Sequence, residues 1–367
     1  MLQRSLSALF HSLARRLDGA ESNQIAALSA SVQSLAAELG NMRTEVASLR
    51  QDFRDLRAAM LSGRQVDLVD FGQLRVFMYI DDEGYRSLAP EYKNQPCGPV
   101  DRDLAEPAIS PGERYANAYE PLISTILSHY WVNQLDFTYF DIGCQYGTSA
   151  MAVAQMIMAS RQKNLVYAFD PGTAGTLVPA NLRLNRMQDR VIFEPVAISN
   201  HDLPAIVYSE LGQSENNRIV NRDLRTESIS RVVGCKRVDQ MIEERAITSH
   251  LIVKLDTQGA EPEVFRGMRY ALASRLVTCV SEFVPEAIGT RTDPAEWLRR
   301  LAEDFLVFDI IDNDMYIKPS HKLFHIPEER VRAFVSEVAR RSPAYTDVVL
   351  VPKQLPAIGS LVERLTA

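Results

Sequence analysis

The sequence predicts an α/β fold in which a largely parallel, doubly wound sheet carries helices on both faces, preceded by an N-terminal coiled-coil helix. From about residue 137 onward, short apolar segments rich in β-branched and aromatic residues alternate with helical segments. Strands separated by helices pair in parallel. Upstream, residues 25–60 carry an unbroken heptad pattern. A chain of 367 residues is long enough for one large domain with extensions.

Composition indicates a soluble globular protein, with 46% hydrophobic and 24% charged residues. The net charge of −7 disfavours nucleic acid as the main partner, because phosphate contacts need a basic face. The four cysteines are far apart and form no C-x-x-C pair, so neither a disulfide framework nor a zinc site is expected. No apolar run reaches the ~18 residues that span a bilayer. We therefore expect a cytoplasmic protein.

Residues 1–18 are predicted to form an amphipathic helix. Its leucines recur at helical spacing, and arginines and a histidine interrupt the apolar residues, which is not typical of a signal peptide. The apolar face is expected to pack on a partner, with peripheral contact to a membrane surface as the alternative. The leucines of this face are Leu2, Leu6, Leu9, Leu13 and Leu17.

Residues 19–62 are predicted to form a coiled coil. From Ile25 to Met60, apolar residues recur at steps of three and four without a break and without proline, which is a heptad seam. The flanking charges favour a parallel pair, because each acid at position g faces an arginine at position e of the partner helix. We expect a homodimer, with a trimer or one long helix docked on its own domain as alternatives. The charge pairs are Glu38–Arg43, Glu45–Arg50 and Asp52–Arg57.

Residues 63–118 read as a proline-rich connector with little helix and one short strand, Leu74 to Ile80. The α/β domain is expected over 119–353, and 354–367 form a C-terminal tail.

The first strand–turn–helix unit of that domain carries its most informative motif, FTYFDIGCQYGTSA, residues 137–150. A buried strand ends at Asp141, and Gly143 and Gly147 allow a ligand to approach the backbone closely. A helix from about Ser149 to Ala159 then presents free N–H groups. The pattern D-x-G-x-x-x-G is a nucleotide-type loop that differs from the G-x-G-x-x-G of dinucleotide enzymes.

The remaining elements alternate in the same way. Helices are predicted at Val178 to Leu184, after the turn at 259–262, and from Asp293 through Leu301. Acids stand at four strand ends, so they are expected to converge on one crevice beyond the carboxyl ends of the strands. These acids are Asp141, Asp170, Asp256 and Glu282. The predicted strands are Leu165 to Asp170, Val191 to Ile198, Leu251 to Asp256, Leu276 to Glu282, Phe305 to Ile310 and Asp347 to Val351.

Several segments together resemble the FkbM-type methyltransferases. The resemblance covers roughly residues 119–282 and is most specific at 254–267. It implies a Rossmann-like class I methyltransferase sheet, S-adenosylmethionine as the cofactor, and O-methyl transfer. The matching segments are FDIGCQYGTSA, AFDP at 168–171, Asn181 and Asn185, VAIS at 196–199, KRVDQ at 236–240 and KLDTQGAEPEVFRGM at 254–268.

The resemblance also implies roles for individual residues. The loop carrying Asp141, Gly143, Gln145 and Gly147 would lie near the methionine moiety. Asp170 would hold the ribose hydroxyls, because a carboxylate accepts such hydrogen bonds strongly. The two asparagines, Asn181 and Asn185, are expected to be structural and to cap the next loop.

On the acceptor side, the sequence departs from the family pattern, because Gln258 replaces the acid of the usual D-x-E-G. A general base would help an alcohol lose its proton. We expect Asp256 to be that base, with Glu261 and Glu282 as alternatives. Lys254 either positions the acceptor or pairs with one of these acids. The six histidines form no convincing ligand set, so no required metal is expected.

Two other functions remain open. A nicotinamide-dependent oxidoreductase is disfavoured by the missing G-x-G-x-x-G motif. A non-catalytic oligomeric scaffold built on a methyltransferase-like domain is supported mainly by Gln258. Acceptors within the family range from polyketide to sugar hydroxyls, and a sugar of a surface polysaccharide is preferred here.

Overall fold

The computed structural model describes residues 30–31, 34, 37, 66–71, 74–79, 111–202, 206–210, 218–219, 229–310, 323–342 and 344–366. The chain divides into two compact units, Met1–Arg57 and Ala58–Ala367. The described residues of the first unit are helical and exposed; they are Ala30, Ser31, Ser34 and Ala37. The amphipathic helix expected over 1–18 and the heptad seam lie outside the described residues, so both stay predictions.

The second unit alternates strands and helices along most of its described length. Its strands are β1 (Val66–Phe71), β2 (Leu74–Tyr79), β3 (Phe137–Ile142), β4 (Val166–Phe169), β5 (Val191–Glu194), β6 (Ala197–Ile198), β7 (Ile206–Glu210), β8 (Arg218–Ile219), β9 (Ile229–Val233), β10 (Cys235–Lys236), β11 (His250–Leu255), β12 (Val277–Phe283), β13 (Phe305–Ile310), β14 (Leu323–Ile326) and β15 (Thr346–Pro352). Its helices are α1 (Pro111–Val132), α2 (Thr148–Ala159), α3 (Val178–Leu184), α4 (Val238–Glu244), α5 (Glu261–Gly267), α6 (Arg269–Ser274), α7 (Pro285–Gly289), α8 (Pro294–Asp304), α9 (Val331–Val338) and α10 (Ile358–Thr366).

The central sheet has eight strands in the order β14-β13-β15-β12-β11-β3-β4-β5. The block from β12 to β5 is parallel, whereas β15 runs antiparallel to both β12 and β13. The chain leaves β3 toward β4 and β5 and returns on the other side of β3 as β11. The strand order therefore reverses between β3 and β11, which is where ligands bind in open α/β sheets.

Two hydrophobic cores cover the two faces of this sheet. Successive strand residues point to opposite faces, so Tyr139 lies in one core and Phe140 in the other. The first core contains buried residues of α1, α2, α3 and α10. The second contains buried residues of α4, α5, α8 and α9. Helices on both faces of a mixed sheet are the doubly wound arrangement that the sequence predicts.

Several element boundaries differ from the predictions. The segment predicted as one strand over 191–198 is split, because Pro195 has no N–H to donate to a ladder. β5 ends before it, and β6 pairs with β10 in a separate small sheet. Between β6 and β10 the chain forms a further sheet of β7, β8 and β9. At the other boundaries predicted and observed elements agree closely, and the Asp293 carboxylate caps α8 by accepting from Ala295 N and Glu296 N.

A hairpin and two helices lie where a connector and a tail were expected. β1 and β2 form an antiparallel hairpin, and α1 begins at Pro111, a residue that is favourable in the first turn of a helix. At the other end of the chain, α10 buries Leu361 and Leu365. The His129 ring of α1 hydrogen-bonds the Pro356 carbonyl oxygen through Nε2 at 2.8 Å. The C-terminal segment is therefore packed onto the domain.

Candidate functional site

The candidate site lies at the carboxyl edge, meaning the edge of the sheet where β3, β4, β11 and β12 end. Gly143 and Gly147 both have φ of +82°, a conformation that side chains disfavour. A Cβ on Gly143 would collide with the Asp256 carbonyl oxygen, and one on Gly147 would lie 3.2 Å from Val178. The loop after β3 is thus pressed against the loop after β11.

Asp141 lies beneath this loop rather than on its surface. The side chain is fully buried, and the Ala150 backbone N–H and the Ser149 hydroxyl favour its charged form. The nearest cation in an ion pair with it is Lys254, whose Nζ lies 3.8 Å from Oδ1. Burial raises the pKa of Asp141, and Lys254 opposes that rise. The residue therefore gives the site a buried acid directly below the glycine loop.

Asp170 joins the end of β4 to the glycine loop. Its Oδ2 accepts from the Gln145 backbone N–H at 2.8 Å, and its Oδ1 accepts from the Gly172 N–H at 2.6 Å. The side chain is only partly buried, and each carboxylate oxygen keeps a second acceptor position beside the donor it already has. Desolvation raises the pKa of Asp170 to about 7, although the two N–H donors work against it. Gln145 contributes its main chain to this arrangement.

Lys254 and Asp256 meet as their alternate spacing on β11 predicts. Lys254 Nζ donates to Asp256 Oδ2 at 3.2 Å. The Lys254 side chain is 9% exposed, whereas that of Asp256 is 37% exposed. A carboxylate therefore reaches the open side of the carboxyl edge while its cation stays behind it.

Gln258 connects Asp256, directly after β11, to Glu282 on β12. Its Nε2 donates to Asp256 Oδ1 at 3.2 Å and to Glu282 Oε2 at 2.8 Å. Desolvation and then the nearby charge of Asp256 raise the pKa of Glu282 well above its ordinary value. The structure thus brings Lys254, Asp256 and Glu282 into one hydrogen-bonded group.

Glu261 is directed into the protein. It is 1% exposed, and its Oε1 accepts from both the backbone N–H and the hydroxyl of Thr257 at 2.9 Å. Desolvation raises the pKa of Glu261 to about 7. Its contacts secure the turn between β11 and α5 rather than the open crevice. Cys144 of the glycine loop is likewise buried, and desolvation raises the pKa of its thiol well above the usual range.

Within the described ranges, no group of three or more His, Cys, Asp or Glu side chains is arranged to hold a metal ion. No helix of the described part of the chain is long and apolar enough to cross a membrane.

The geometry agrees with what comparison with known families finds. Residues 141–306 match the family model described as the methyltransferase FkbM domain. This matched segment of the chain is similar to the methyltransferase FkbM domain. No curated protein matches the chain.

Solved structures similar to this chain are remote relatives. One is a putative class I S-adenosylmethionine-dependent methyltransferase from Listeria monocytogenes, with 10% identity, a TM-score of 0.31, and 67% of this chain and 60% of that chain covered. Another is the methyltransferase subunit of a type I restriction-modification system from Streptococcus thermophilus, with 8% identity, a TM-score of 0.30, and 68% and 45% covered. A third is magnesium protoporphyrin IX methyltransferase from Synechocystis PCC 6803 with bound SAH, with 11% identity, a TM-score of 0.26, and 68% and 90% covered. The match thus spans 60% and 45% of the first two proteins.

The methyltransferase FkbM domain is completed by elements outside the matched residues. The match begins at the end of β3 and stops inside β13. β14 and β15 extend the same sheet beyond it, and α1 and α10 pack on one face. The α/β methyltransferase fold with a mixed central sheet is therefore confirmed, while the coiled coil ahead of it stays a prediction.

One acid of the methyltransferase site was not singled out by sequence reasoning. Asp347 lies directly opposite Glu282 in the antiparallel ladder of β12 and β15. Burial raises its pKa to about 6. The sequence could have indicated Asp347, because this acid stands at the start of the last strand. An antiparallel strand that begins there meets the carboxyl ends of its parallel neighbours.

Asn181 and Asn185 were expected to cap the next loop, but their side chains hydrogen-bond the backbone of β2. Asn181 Oδ1 accepts from Phe77 N at 2.7 Å, and Asn185 Oδ1 accepts from Arg75 N at 3.0 Å. Their amide nitrogens donate back to the carbonyl oxygens of the same two residues. Both side chains therefore pair with the backbone of β2 as a neighbouring strand would. The Tyr146 hydroxyl of the glycine loop also accepts from Tyr79 N at 3.3 Å.

Proposed function

We propose that the chain is an S-adenosylmethionine-dependent O-methyltransferase that acts on a hydroxyl acceptor, with a sugar of a surface polysaccharide as the preferred acceptor. The observation that carries this proposal is the placement of two partly open carboxylates, Asp170 and Asp256, on either side of the glycine loop within a methyltransferase FkbM domain. One carboxylate suits a cofactor and the other suits an acceptor.

The residues of the cofactor half fit S-adenosylmethionine. Gly143 and Gly147 leave the loop without a side chain at those two positions, and no side chain caps the N-terminus of α2 behind it. Asp170 keeps lone pairs that can accept two ribose hydroxyls, because each carboxylate oxygen has two acceptor positions. The buried charge of Asp141 favours a positively charged ligand above it. Asp141, Gly143, Gln145, Gly147 and Asp170 are thus proposed to hold the cofactor.

When bound, S-adenosylmethionine supplies a methyl group on a positively charged sulfur, which is already activated for displacement. Asp256 would accept the proton that the acceptor hydroxyl loses as its oxygen takes the methyl group. Lys254 stabilises Asp256 from behind. A positioned base contributes about 10²–10⁴-fold to such a step. Orientation of the acceptor contributes up to ~7–11 kcal/mol.

The structure favours Asp256 over the two alternative bases. Glu261 is buried and bonded to Thr257, so no acceptor can reach it without opening the turn. Glu282 holds its proton to higher pH because of burial and the charge of Asp256. Asp256 is 37% exposed and already bonded to a cation. It combines access with a stabilised negative charge.

Binding and turnover test the proposal separately. Isothermal titration of the full chain with S-adenosylmethionine should give saturable binding. Asp256→Asn should retain that binding while losing methyl transfer, measured with labelled methyl donor and a panel of nucleotide sugars, glycans and lipids. Binding without transfer to any acceptor would instead support the non-catalytic scaffold. Binding of a nicotinamide cofactor in place of S-adenosylmethionine would support the oxidoreductase.

The same proposal includes a homodimer through the coiled coil of Ile25 to Met60 and a cytoplasmic location. The charge pairs of the heptad pattern support the dimer. The buried, unpaired thiols of Cys144, Cys235 and Cys279 are consistent with a reducing compartment. Sedimentation of the full chain would decide between monomer, dimer and trimer.

A further inference from the structure

We propose that Gln258 is a positioning residue that holds the carboxyl groups of Asp256 and Glu282 together and aims Asp256 at the acceptor. This inference rests on the proposed function, because it assigns a role within the same site. Its basis is geometric. One amide nitrogen donates to carboxyl oxygens from two neighbouring segments, at 3.2 Å to Asp256 directly after β11 and at 2.8 Å to Glu282 on β12.

An amide is suited to this position in a way that an acid is not. The Gln258 NH₂ group has two N–H donors, so it can serve two carboxyl groups at once. A glutamate in its place would have no such donor when ionised, and it would add a third negative charge between the first two. Like charges that share a site raise one another's pKa values. Gln258 therefore joins two groups that would otherwise repel.

The backbone holds the amide in place. Gln258 has φ of +55° and Gly259 has φ of +99°, so the turn between β11 and α5 depends on two consecutive left-handed residues. A Cβ on Gly259 would lie 2.8 Å from the Ala287 Cβ of α7, so the turn packs closely against that helix. The Gln258 side chain thus leaves a closely packed turn and is constrained at its far end by two acceptors.

Asp256 is consequently bound at both of its oxygens. Oδ1 accepts from Gln258 and Oδ2 accepts from Lys254. With one donor on each oxygen, rotation of the carboxyl plane is restricted, and the free lone pairs keep one direction. If the Gln258 donor is lost, Lys254 alone holds the group through one oxygen. The amide therefore determines orientation, whereas the lysine supplies charge.

Several charged groups lie around Glu282, so a change at position 258 should produce a measurable shift in the Glu282 pKa. Lys254 opposes the acids around Glu282 and lowers its pKa, while burial, Asp256, Glu261 and Asp347 raise it. An additional carboxylate at position 258 should raise the pKa of Glu282 further. The titratable groups facing this pair are Asp141 on β3, Asp170 directly after β4, Lys254 on β11, Glu261 on α5 and Asp347 on β15.

The experiment uses the full chain and three variants. Gln258→Glu adds charge and removes the donor, and Gln258→Met removes the donor without adding charge. Gln240→Glu is the matched control, because Gln240 Nε2 also donates to a carboxylate, Glu244 Oε1 at 2.8 Å, on the exposed side of α4. The pH midpoint of Glu282 is measured by isotope-edited infrared spectroscopy of glutamate-labelled protein. Its band is assigned by its loss in Glu282→Gln.

We expect Gln258→Glu to raise the Glu282 midpoint by about one pH unit or more. Gln258→Met should raise it less, and Gln240→Glu should leave it unchanged. In methyl transfer, Gln258→Glu and Gln258→Met should both lower kcat about tenfold, because Asp256 loses the donor that orients its carboxyl plane, and Gln240→Glu should leave kcat unchanged. Affinity for S-adenosylmethionine should stay within about twofold, since Gln258 is outside the cofactor half.

An unchanged Glu282 midpoint in both Gln258 variants would overturn the inference. A shifted midpoint with an unchanged kcat in both Gln258 variants would overturn its role in positioning Asp256. Absence of methyl transfer by the unmodified chain would instead remove the proposed function, and the infrared titration would still judge whether Gln258 joins the two carboxyl groups.

Discussion

Replacing Asn181 with alanine should loosen the β1–β2 hairpin from the methyltransferase domain. The Asn181 side chain is fully buried and makes three hydrogen bonds, at 2.7 Å with Phe77 N, at 3.3 Å with Phe77 O and at 3.0 Å with Tyr146 O. Each bond is worth about 0.5–1.5 kcal/mol net, and buried groups left without partners add to the loss. We expect a local loss of about 2–4 kcal/mol for the hairpin.

Amide hydrogen exchange of the β2 peptide measures this effect directly, because it reports local opening. A loss of that size corresponds to roughly 30- to 1,000-fold faster exchange in Asn181→Ala. Asn185→Ala should give a smaller change, because its bonds to Arg75 are exposed. Asn200→Ala, an exposed asparagine outside the hairpin contact, should give none. Exchange in Asn181→Ala no faster than in Asn200→Ala would refute the reasoning.

Three further predictions concern the cofactor half of the site. Asp170→Asn should weaken S-adenosylmethionine binding by about 10–100-fold, because hydrogen bonds to a charged acceptor are worth about 1.5–3 kcal/mol; equal affinity by isothermal titration would exclude Asp170 as the ribose acid. Burial raises the folded-state pKa of Asp170 from 3.8 to about 7, so between these two pH values the folded chain binds a proton on Asp170 that the unfolded chain has lost. The contribution of Asp170 to the free energy of unfolding therefore falls as pH rises from about 4 to 7. Denaturant titrations across that range should show a flatter pH dependence in Asp170→Asn, and a parallel pair of curves would contradict the assignment. Gly143→Ala should lower the free energy of unfolding by about 1–3 kcal/mol or more, because φ is +82° and the new Cβ meets the Asp256 carbonyl. Gly289→Ala is the control and should be nearly neutral, because a Cβ there enters open space. Similar losses of stability in the two variants would count against the close approach of the two loops.

Much of the fold followed from local pattern. Strand segments, glycine turns and the Asp293 helix cap depend on residues a few positions apart, and the structure has them close to where they are predicted. The prediction of one strand over 191–198 was wrong for a local reason, because Pro195 interrupts the segment. The direction of parallel strands also brings their terminal acids to one edge, so the convergence of Asp141, Asp170, Asp256 and Glu282 was predictable.

Contacts between distant segments were not predictable in the same way. Asn181 and Asn185 bond residues that lie 104 and 110 positions earlier, and nothing in the local pattern indicates such partners. Asp347 meets Glu282 only because β15 inserts antiparallel beside β12. From the sequence, Gln258 is only a neutral residue in place of the acid of the usual D-x-E-G pattern. Its hydrogen bonds to two carboxyl groups give it a place in the site.

The chain's own pattern of strands, glycines and terminal acids establishes an α/β domain with an acidic crevice beside a nucleotide-type loop. The pattern cannot distinguish among those acids, because they stand at equivalent strand ends. Their difference comes from packing: Asp141 and Glu261 are covered by neighbouring elements, while Asp170 and Asp256 keep a partly open face. Burial and hydrogen bonding by distant residues therefore decide which carboxylates can meet a ligand, since both are properties of the assembled fold.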